Sequence, residues 1–387
     1  MAKIYLGIVL IFCFCLTISR TSENDDHSTL QLISMLFRHG DRTPESNERY
    51  PNDPYKDDNF YPIGVGQLTN VGKKRAYDFG LLLKERYRAF LGDIYYLPNI
   101  YAHSTEVTRC KMTLQLVLAA LYPPVKIQEW NSMLHWQPLD FTFNSSNNDI
   151  LLLFSNSKLF TELFYEVINS PEIEEEIKQL DTRAITECTG YIFNKNNTLK
   201  TKNNTPIILY MLYNTIYSQL HMENYLKLPE CIQKIFPGGP LLNGALLFLK
   251  VLGHEKLNYF NGAVLLNKII NDMNEVINGT LTDRKINLYS GHDMNVVGLQ
   301  FALNIFNNRT PEFTSGVIIE LHKKDSEYYV KVLQHLGIPT EIEEVIIPGC
   351  EKLCPYNKFI QLTNTNGSNP PKNSEQDKNV STLFSNF

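Results

Sequence analysis

A chain of 387 residues, 43% apolar and 20% charged, can bury a large core and is too ordinary in composition to be disordered throughout. Its formal net charge of -5 supplies no basic footprint, so no nucleic-acid partner is expected. Affinity for an anionic substrate would have to come from a local cluster of cations rather than from an overall field.

The chain opens with Met1-Ala2-Lys3 and an almost unbroken apolar run from Ile4 to Leu16, followed by Thr17 and Ser19 at small-residue positions. The run is short of the roughly 20 residues that span a membrane, so 1-19 is expected to be a cleaved signal peptide. No later segment is long enough to anchor; Gly244 to Leu252 comes closest. A secreted, extracellular protein is expected in preference to a lysosomal one. Sequons at Asn144, Asn196, Asn203, Asn278, Asn308, Asn366 and Asn379 mark a candidate glycoprotein. Cys110, Cys188, Cys231, Cys350 and Cys354 remain after cleavage, an odd number for an oxidising compartment. Cys350 and Cys354 are spaced for a tight local loop, and Cys188 with Cys231 is a candidate long-range pair. Cys110 would then be a buried free thiol, although pairing among these three stays open. Zinc-ligand spacing is lacking, and no metal is expected.

Thr29 to Phe37 has the near-continuous hydrophobicity of a buried parallel strand. Thr69 is placed to cap a helix from Val71 to about Phe90, whose Val71, Ala76, Phe79, Leu83 and Tyr87 share a face. A short strand over Asn99 to His103 precedes a helix over Val107 to Leu121, which Pro123-Pro124 stops. Residues 131-260 read as a mainly helical cap insertion. A helix over Asn261 to Ile277, a strand over Lys285 to Ser290 and a hairpin over Gly316 to Gln334 follow. The tail over 363-387 reads as disordered. This alternation predicts an α/β fold with a mostly parallel sheet flanked by helices, built from 20-130 and 261-362, under a smaller α-helical cap.

In such sheets ligands collect outside the carboxyl ends of the strands. Arg38-His39-Gly40-Asp41-Arg42, Arg109 and His292-Asp293 all fall there. Arginine forks suit phosphate oxygens, and Arg38 and Arg42 flank a glycine that lets the loop turn. His39 between them is the candidate nucleophile: a neutral imidazole can attack phosphorus and form a phosphohistidine. Neighbouring cations would lower its pKa and keep it neutral in acid. Asp293, raised by the charge of bound phosphate, would protonate the leaving alkoxide, and His292 adds a phosphate contact.

Each piece has a plainer explanation. RHG or GHD alone is commonly a surface turn, and Arg109 could simply pair with Glu106 one helical turn away. The histidines at 27, 103, 135, 221, 254, 322 and 335 read as structural or surface groups. The joint occurrence of the three clusters at strand ends favours chemistry.

RHGDRTP (38-44) with a distant GHD (291-293) resembles the histidine acid phosphatase family. YPNDPY (50-55), GQLTNVGKKRAYDFGLLLKERYRAFLGDIY (66-95), KMTLQLVLAALYPP (111-124) and GCEKLCP (349-355) resemble its insect venom and secreted prostatic-like members. The resemblance implies a phosphoglycerate-mutase-like core that hydrolyses small phosphate monoesters through a phosphohistidine, with no metal or organic cofactor. It implies His39 as nucleophile, Asp293 as proton donor, and Arg38, Arg42, Arg109 and His292 as phosphate ligands. It further implies a Cys350-Cys354 disulfide and a candidate homodimer. His103 stands where the family commonly has arginine, and Thr108 and Cys110 flank Arg109 where it has Asp and Thr. Those departures bear on substrate preference. The competing readings are a narrower phytase or lysophospholipid phosphatase, and a secreted binding or host-interaction protein with little turnover. A binder has no reason to keep both His39 and Asp293. A mutase-like phosphotransferase is disfavoured, since such proteins share RHG without the late His-Asp pair.

Overall fold

Leu30 to Arg38 form the central strand, and of its nine residues only Gln31 is not buried. The alternation explains why: Leu32 and Leu36 face one hydrophobic layer, while Ile33, Met35 and Phe37 face the other. Each such side chain stabilises by about 1.5–3 kcal/mol when fully buried. A strand loaded on both faces is therefore firmly fixed. This computed structural model describes residues 27–193, 204–222, 226–340 and 342–364. The expected signal peptide, the sequons Asn196, Asn203, Asn366 and Asn379, and the tail from 365 lie outside those residues.

The strands are β1 (Leu30–Arg38), β2 (Ile100–Ser104), β3 (Thr142–Phe143), β4 (Ile286–Gly291), β5 (Gly316–Lys324), β6 (Glu327–His335), β7 (Ile342–Val345) and β8 (Cys354–Pro355). They form one sheet in the order β3-β2-β4-β1-β5-β6-β7, with β8 on β6. From β3 to β1 the neighbours run parallel; β5, β6 and β7 continue the sheet antiparallel. The expected hairpin is β5 and β6. Register aligns the functional ends: Arg38 lies opposite Gly291, and Ser104 opposite Ser290.

The α-helices are α1 (Asn70–Leu91), α2 (Thr108–Leu121), α3 (Lys158–Ile168), α4 (Pro171–Lys178), α5 (Arg183–Thr189), α6 (Thr205–Leu220), α7 (Glu230–Ile235), α8 (Gly239–Leu252), α9 (Val264–Ile277), α10 (Asp293–Ala302) and α11 (Tyr356–Asn364). The Thr69 hydroxyl accepts from Gly72 N at 3.0 Å, capping α1 as its sequence predicts. Ala76, Phe79, Leu83 and Tyr87 are buried on its sheet-facing side, which it shares with α2. Helices α9, α10 and α11 cover the opposite face through Leu265, Ile269, Val296, Leu299 and Phe359.

The helices from α3 to α8 gather a separate hydrophobic cluster around Phe160, Phe164, Ile207, Leu212 and Phe248. Val297 and Phe313 join that cluster from the sheet side. One disulfide, Cys188–Cys231, ties α5 to α7, and a second, Cys350–Cys354, closes the loop before α11. Cys110 is a buried free thiol.

Beyond shifts of one residue, three boundaries differ from the sequence reading. The stretch expected as cap from 131 contributes β3 to the sheet, because Thr142 and Phe143 pair in register with His103 and Ser104. The helix expected from Asn261 starts at Val264, after a π-helical turn over Tyr259–Ala263 in which the Asn261 amide donates to the Leu252 carbonyl. The expected disordered tail loses its first two residues to α11, which runs to Asn364 because Phe359 and Thr363 are buried against the sheet layer.

Candidate active site

The loop after β1 is locked through its backbone. His39 N donates to the Gly291 carbonyl at 3.0 Å, and Thr314 N donates to the His39 carbonyl at 3.2 Å. Gly40 N donates to Thr113 Oγ1 at 3.1 Å. The loop lies directly on the start of α1, where a Cβ on Gly40 would sit 2.5 Å from the Gly72 carbonyl oxygen. A Cβ on Gly72 would meet the Asp41 backbone at 2.2 Å. Only glycines at both positions permit this approach. Asp41 turns away from the loop's open side and pairs with Arg75 at 3.0 Å.

That frame fixes the His39 ring. Its Nδ1 lies 2.8 Å from the Gly40 carbonyl, which can only accept, so Nδ1 carries the proton. Nε2 is left with its lone pair and accepts from Arg109 Nε at 3.0 Å. Burial first, then Arg109 and Arg38, hold the His39 pKa well below that of an ordinary histidine. His292 lies in an edge-on arrangement with ring centroids 5.5 Å apart. Burial, followed by Arg109, pushes the His292 pKa down to about 3.

Three guanidiniums surround these rings, each with one carboxylate. Arg38 Nη2 meets Asp293 Oδ2 at 2.9 Å, and donates to Asn214 Oδ1 at 3.0 Å. Arg38 Nη1 donates to the Pro311 carbonyl at 2.6 Å, and its guanidinium lies 4.4 Å from the Phe313 ring centroid. Arg42 Nη2 donates to both Glu48 oxygens at 2.8 Å. Arg109 Nη1 donates to Glu45 Oε1 at 2.6 Å. The Nε groups of Arg38 and Arg42 are buried with no hydrogen-bond partner among the described residues. Buried unpaired donors are costly, and they suit an incoming oxyanion.

Asp293 opens α10, and its Oδ1 accepts from Met294 N at 2.9 Å. Burial pushes its carboxyl upward, but Arg38 and the nearby Tyr210 hydroxyl outweigh burial and hold it below its usual range. Asn295 fixes this turn: its Oδ1 accepts from His292 N at 2.8 Å, and its Nδ2 donates to the Leu152 carbonyl at 2.7 Å.

Arg38, His39, Arg42, Arg109, His292 and Asp293, all singled out in the sequence, line one cavity of about 420 Å³. The plainer explanation of Arg109 does not hold, because Glu106 instead accepts from the Ser146 backbone and hydroxyl at 2.8 Å. His103 does not line the cavity: its ring stacks on Tyr101, and its Nδ1 lies 2.8 Å from Thr142 Oγ1. Cys110 supports the site from behind, with Sγ 3.6 Å from His292 Nε2. Among the described residues no group of three or more His, Cys, Asp or Glu side chains is placed to hold a metal ion. No described helix is long and apolar enough to cross a membrane.

Residues 29–335 match the histidine phosphatase superfamily (branch 2). The chain belongs to this family. It is 40% identical over 339 residues to venom acid phosphatase Acph-1 of Apis mellifera, covering 86% of this chain and 84% of that protein. Prostatic acid phosphatase of Bos taurus is 32% identical over 341 residues, with coverage of 86% and 84%. A solved structure of Klebsiella sp ASR1 phytase shares the fold at TM-score 0.66 and 15% identity, covering 89% of this chain and 98% of that one.

Sequence reasoning about this histidine phosphatase passed over Glu45, Glu48, Tyr210 and Asn214, all of which line the cavity. Glu45 and Glu48 follow the RHGDRTP motif directly and carry the charge opposite to its arginines. Asn214 stands out as an amide inside the apolar run of α6, with Tyr210 one turn before it.

Proposed function

We propose that the protein is an acid phosphatase that hydrolyses phosphate monoesters through a phosphohistidine on His39. One observation carries the reading: the His39 Nε2 lone pair lies among three guanidiniums, two of which hold buried, unpartnered Nε donors. A phosphate dianion entering there takes donors from Arg38, Arg42 and Arg109, with His292 adding a neutral contact. Arg109 releases the His39 lone pair as it turns to a phosphate oxygen. Nε2 then attacks phosphorus while the P–O bond to the alcohol breaks.

The departing oxygen takes a proton from Asp293. In the free protein Arg38 keeps that carboxyl ionised. A bound dianion competes for Arg38 and adds negative charge beside Asp293, and both effects raise its proton affinity. In the second step Asp293 accepts a proton from water, whose oxygen attacks phosphorus and breaks the P–N bond. Acid conditions help load Asp293, whereas burial and the arginines keep His39 neutral. The chemistry proposed here calls on no metal.

The broad division, with a sheet core under helices of the 131-260 region, is part of this proposal, because α6 supplies Tyr210 and Asn214 to the cavity wall. Secretion is supported by the two disulfides, which suit an oxidising compartment, and by the exposure of Asn144, Asn278 and Asn308 for glycosylation. The deciding experiment is hydrolysis of an aryl phosphate from about pH 3 to 9 with chelator present, for wild type and His39→Ala. Acid-side turnover that survives chelation and is lost in the variant is expected. Turnover that depends on added metal, or that persists in His39→Ala, would defeat the proposal.

A further inference from the structure

The cavity's charges cancel before any substrate enters. Its cations are Arg38, Arg42 and Arg109; its carboxylates are Asp293, Glu45 and Glu48. Each guanidinium touches one carboxylate, at 2.9, 2.8 and 2.6 Å. No lysine or further arginine lines the cavity among the described residues. In the proposed reaction Asp293 takes up a proton, but Glu45 and Glu48 have no part in the chemistry. A phosphate dianion that engages Arg42 and Arg109 competes directly with those two carboxylates.

Both glutamates are partly buried. The Glu48 side chain is 15% exposed and that of Glu45 30%. Burial works against ionisation of Glu45, but Arg109 and then Arg42 outweigh it and hold its carboxyl below the usual range. Each carboxylate thus stands in contact with a cation on which the substrate also draws.

We infer that Glu45 and Glu48 are specificity-determining residues: they select phosphate monoesters whose alcohol half carries a cationic ammonium, and reject those whose alcohol half carries further negative charge. The inference rests on the phosphate-binding reading of the three arginines. An ammonium two or three bonds from the ester oxygen replaces the cation that each glutamate shares with phosphate. A second anionic group finds no cation left to receive it and meets two carboxylates instead. Resemblance in fold to phytases therefore does not extend to a polyphosphorylated substrate.

Three small probes of similar size test this: aminoethyl, propyl and carboxyethyl phosphate, compared by kcat/KM at about pH 5.5, where ordinary glutamates are ionised. Wild type should prefer them in that order, with roughly tenfold between neighbours, as for unit charges interacting across a partly wet pocket. In Glu45→Gln/Glu48→Gln the order should collapse. KM for propyl phosphate should fall at the same time, because Arg42 and Arg109 lose their competitors. A purely structural role would instead weaken all three probes alike, and that result overturns the inference. So does a wild-type enzyme that treats the three equally or prefers the carboxylate. If the double variant does not fold, the wild-type order alone decides. Failure of the underlying phosphatase reading looks different, since wild type would then leave propyl phosphate untouched.

Discussion

On the inner wall of the cavity His39 is held by backbone bonds to Gly291 and Thr314 and by its own Nδ1–H on Gly40. On the outer wall Arg42 and Arg109 are held by side-chain carboxylates at Glu48 and Glu45, with carbonyl contacts at Thr43 and Gly66. The first arrangement rests on main-chain groups beside strands in register, so the His39 ring has one orientation. The second consists of charge pairs that an incoming anion can exchange. In the proposed reaction the inner wall therefore governs the chemical step, whereas the outer wall governs binding and choice of substrate. Arg38 joins the two: it ends β1, yet its guanidinium reaches Asp293, Pro311 and Asn214.

The largest effect should come from the inner wall. His39→Ala should lower kcat by at least about a thousandfold, as removal of a covalent nucleophile does. A loss below tenfold in single-turnover measurements would mean another group attacks phosphorus. Asp293→Asn should follow, with a loss of about 10²–10⁴ for alkyl phosphates. For aryl phosphates, whose phenolate leaves without help, the loss should be much smaller. Equal losses on both substrate types would remove Asp293 as the proton donor.

Asn214→Ala tests the joint between the walls. It removes one charge-assisted partner of Arg38, so KM should rise about tenfold while kcat changes little. A drop confined to kcat would instead place Asn214 with the chemical machinery.

The smallest effect concerns stability in acid. Burial, first among the causes, lowers His292 to about 3, whereas an unfolded histidine titrates near 6.5. Between those values the unfolded chain binds more protons than the folded one, so stability falls as pH drops through that window. His292→Asn should abolish this contribution, and its Tm should fall less than that of wild type between about pH 6.5 and 3, by a few degrees. Parallel Tm curves for the two proteins would show that His292 is not a buried neutral group.

Much of the cavity lining was legible because its parts fall in short motifs at strand ends. Arg38, His39 and Arg42 share one loop, Thr69 announces the start of α1, and GHD ends a strand whose hydrophobicity marks it as buried. The helical segment was harder to bound. A two-residue strand such as β3 has no periodicity of its own and exists only because β2 offers an open edge. The partner of Arg109 was equally hidden: Glu106 lies three residues away and was the natural candidate, whereas Glu45 lies 64 residues away and is the one in contact.

The sequence by itself determined the central strand, the capped helix behind it, and the set of six side chains that the strand ends bring together. Those follow from local pattern: apolar residues on both faces of a strand, a threonine cap, and charged groups placed where strands stop. Tertiary structure alone decided which carboxylate faces which guanidinium, that Arg38 leans on Asn214 from 176 residues away, and that the His39 lone pair rests on Nε2. Such pairings depend on how separate elements pack, and packing is set by the whole chain rather than by any stretch of it.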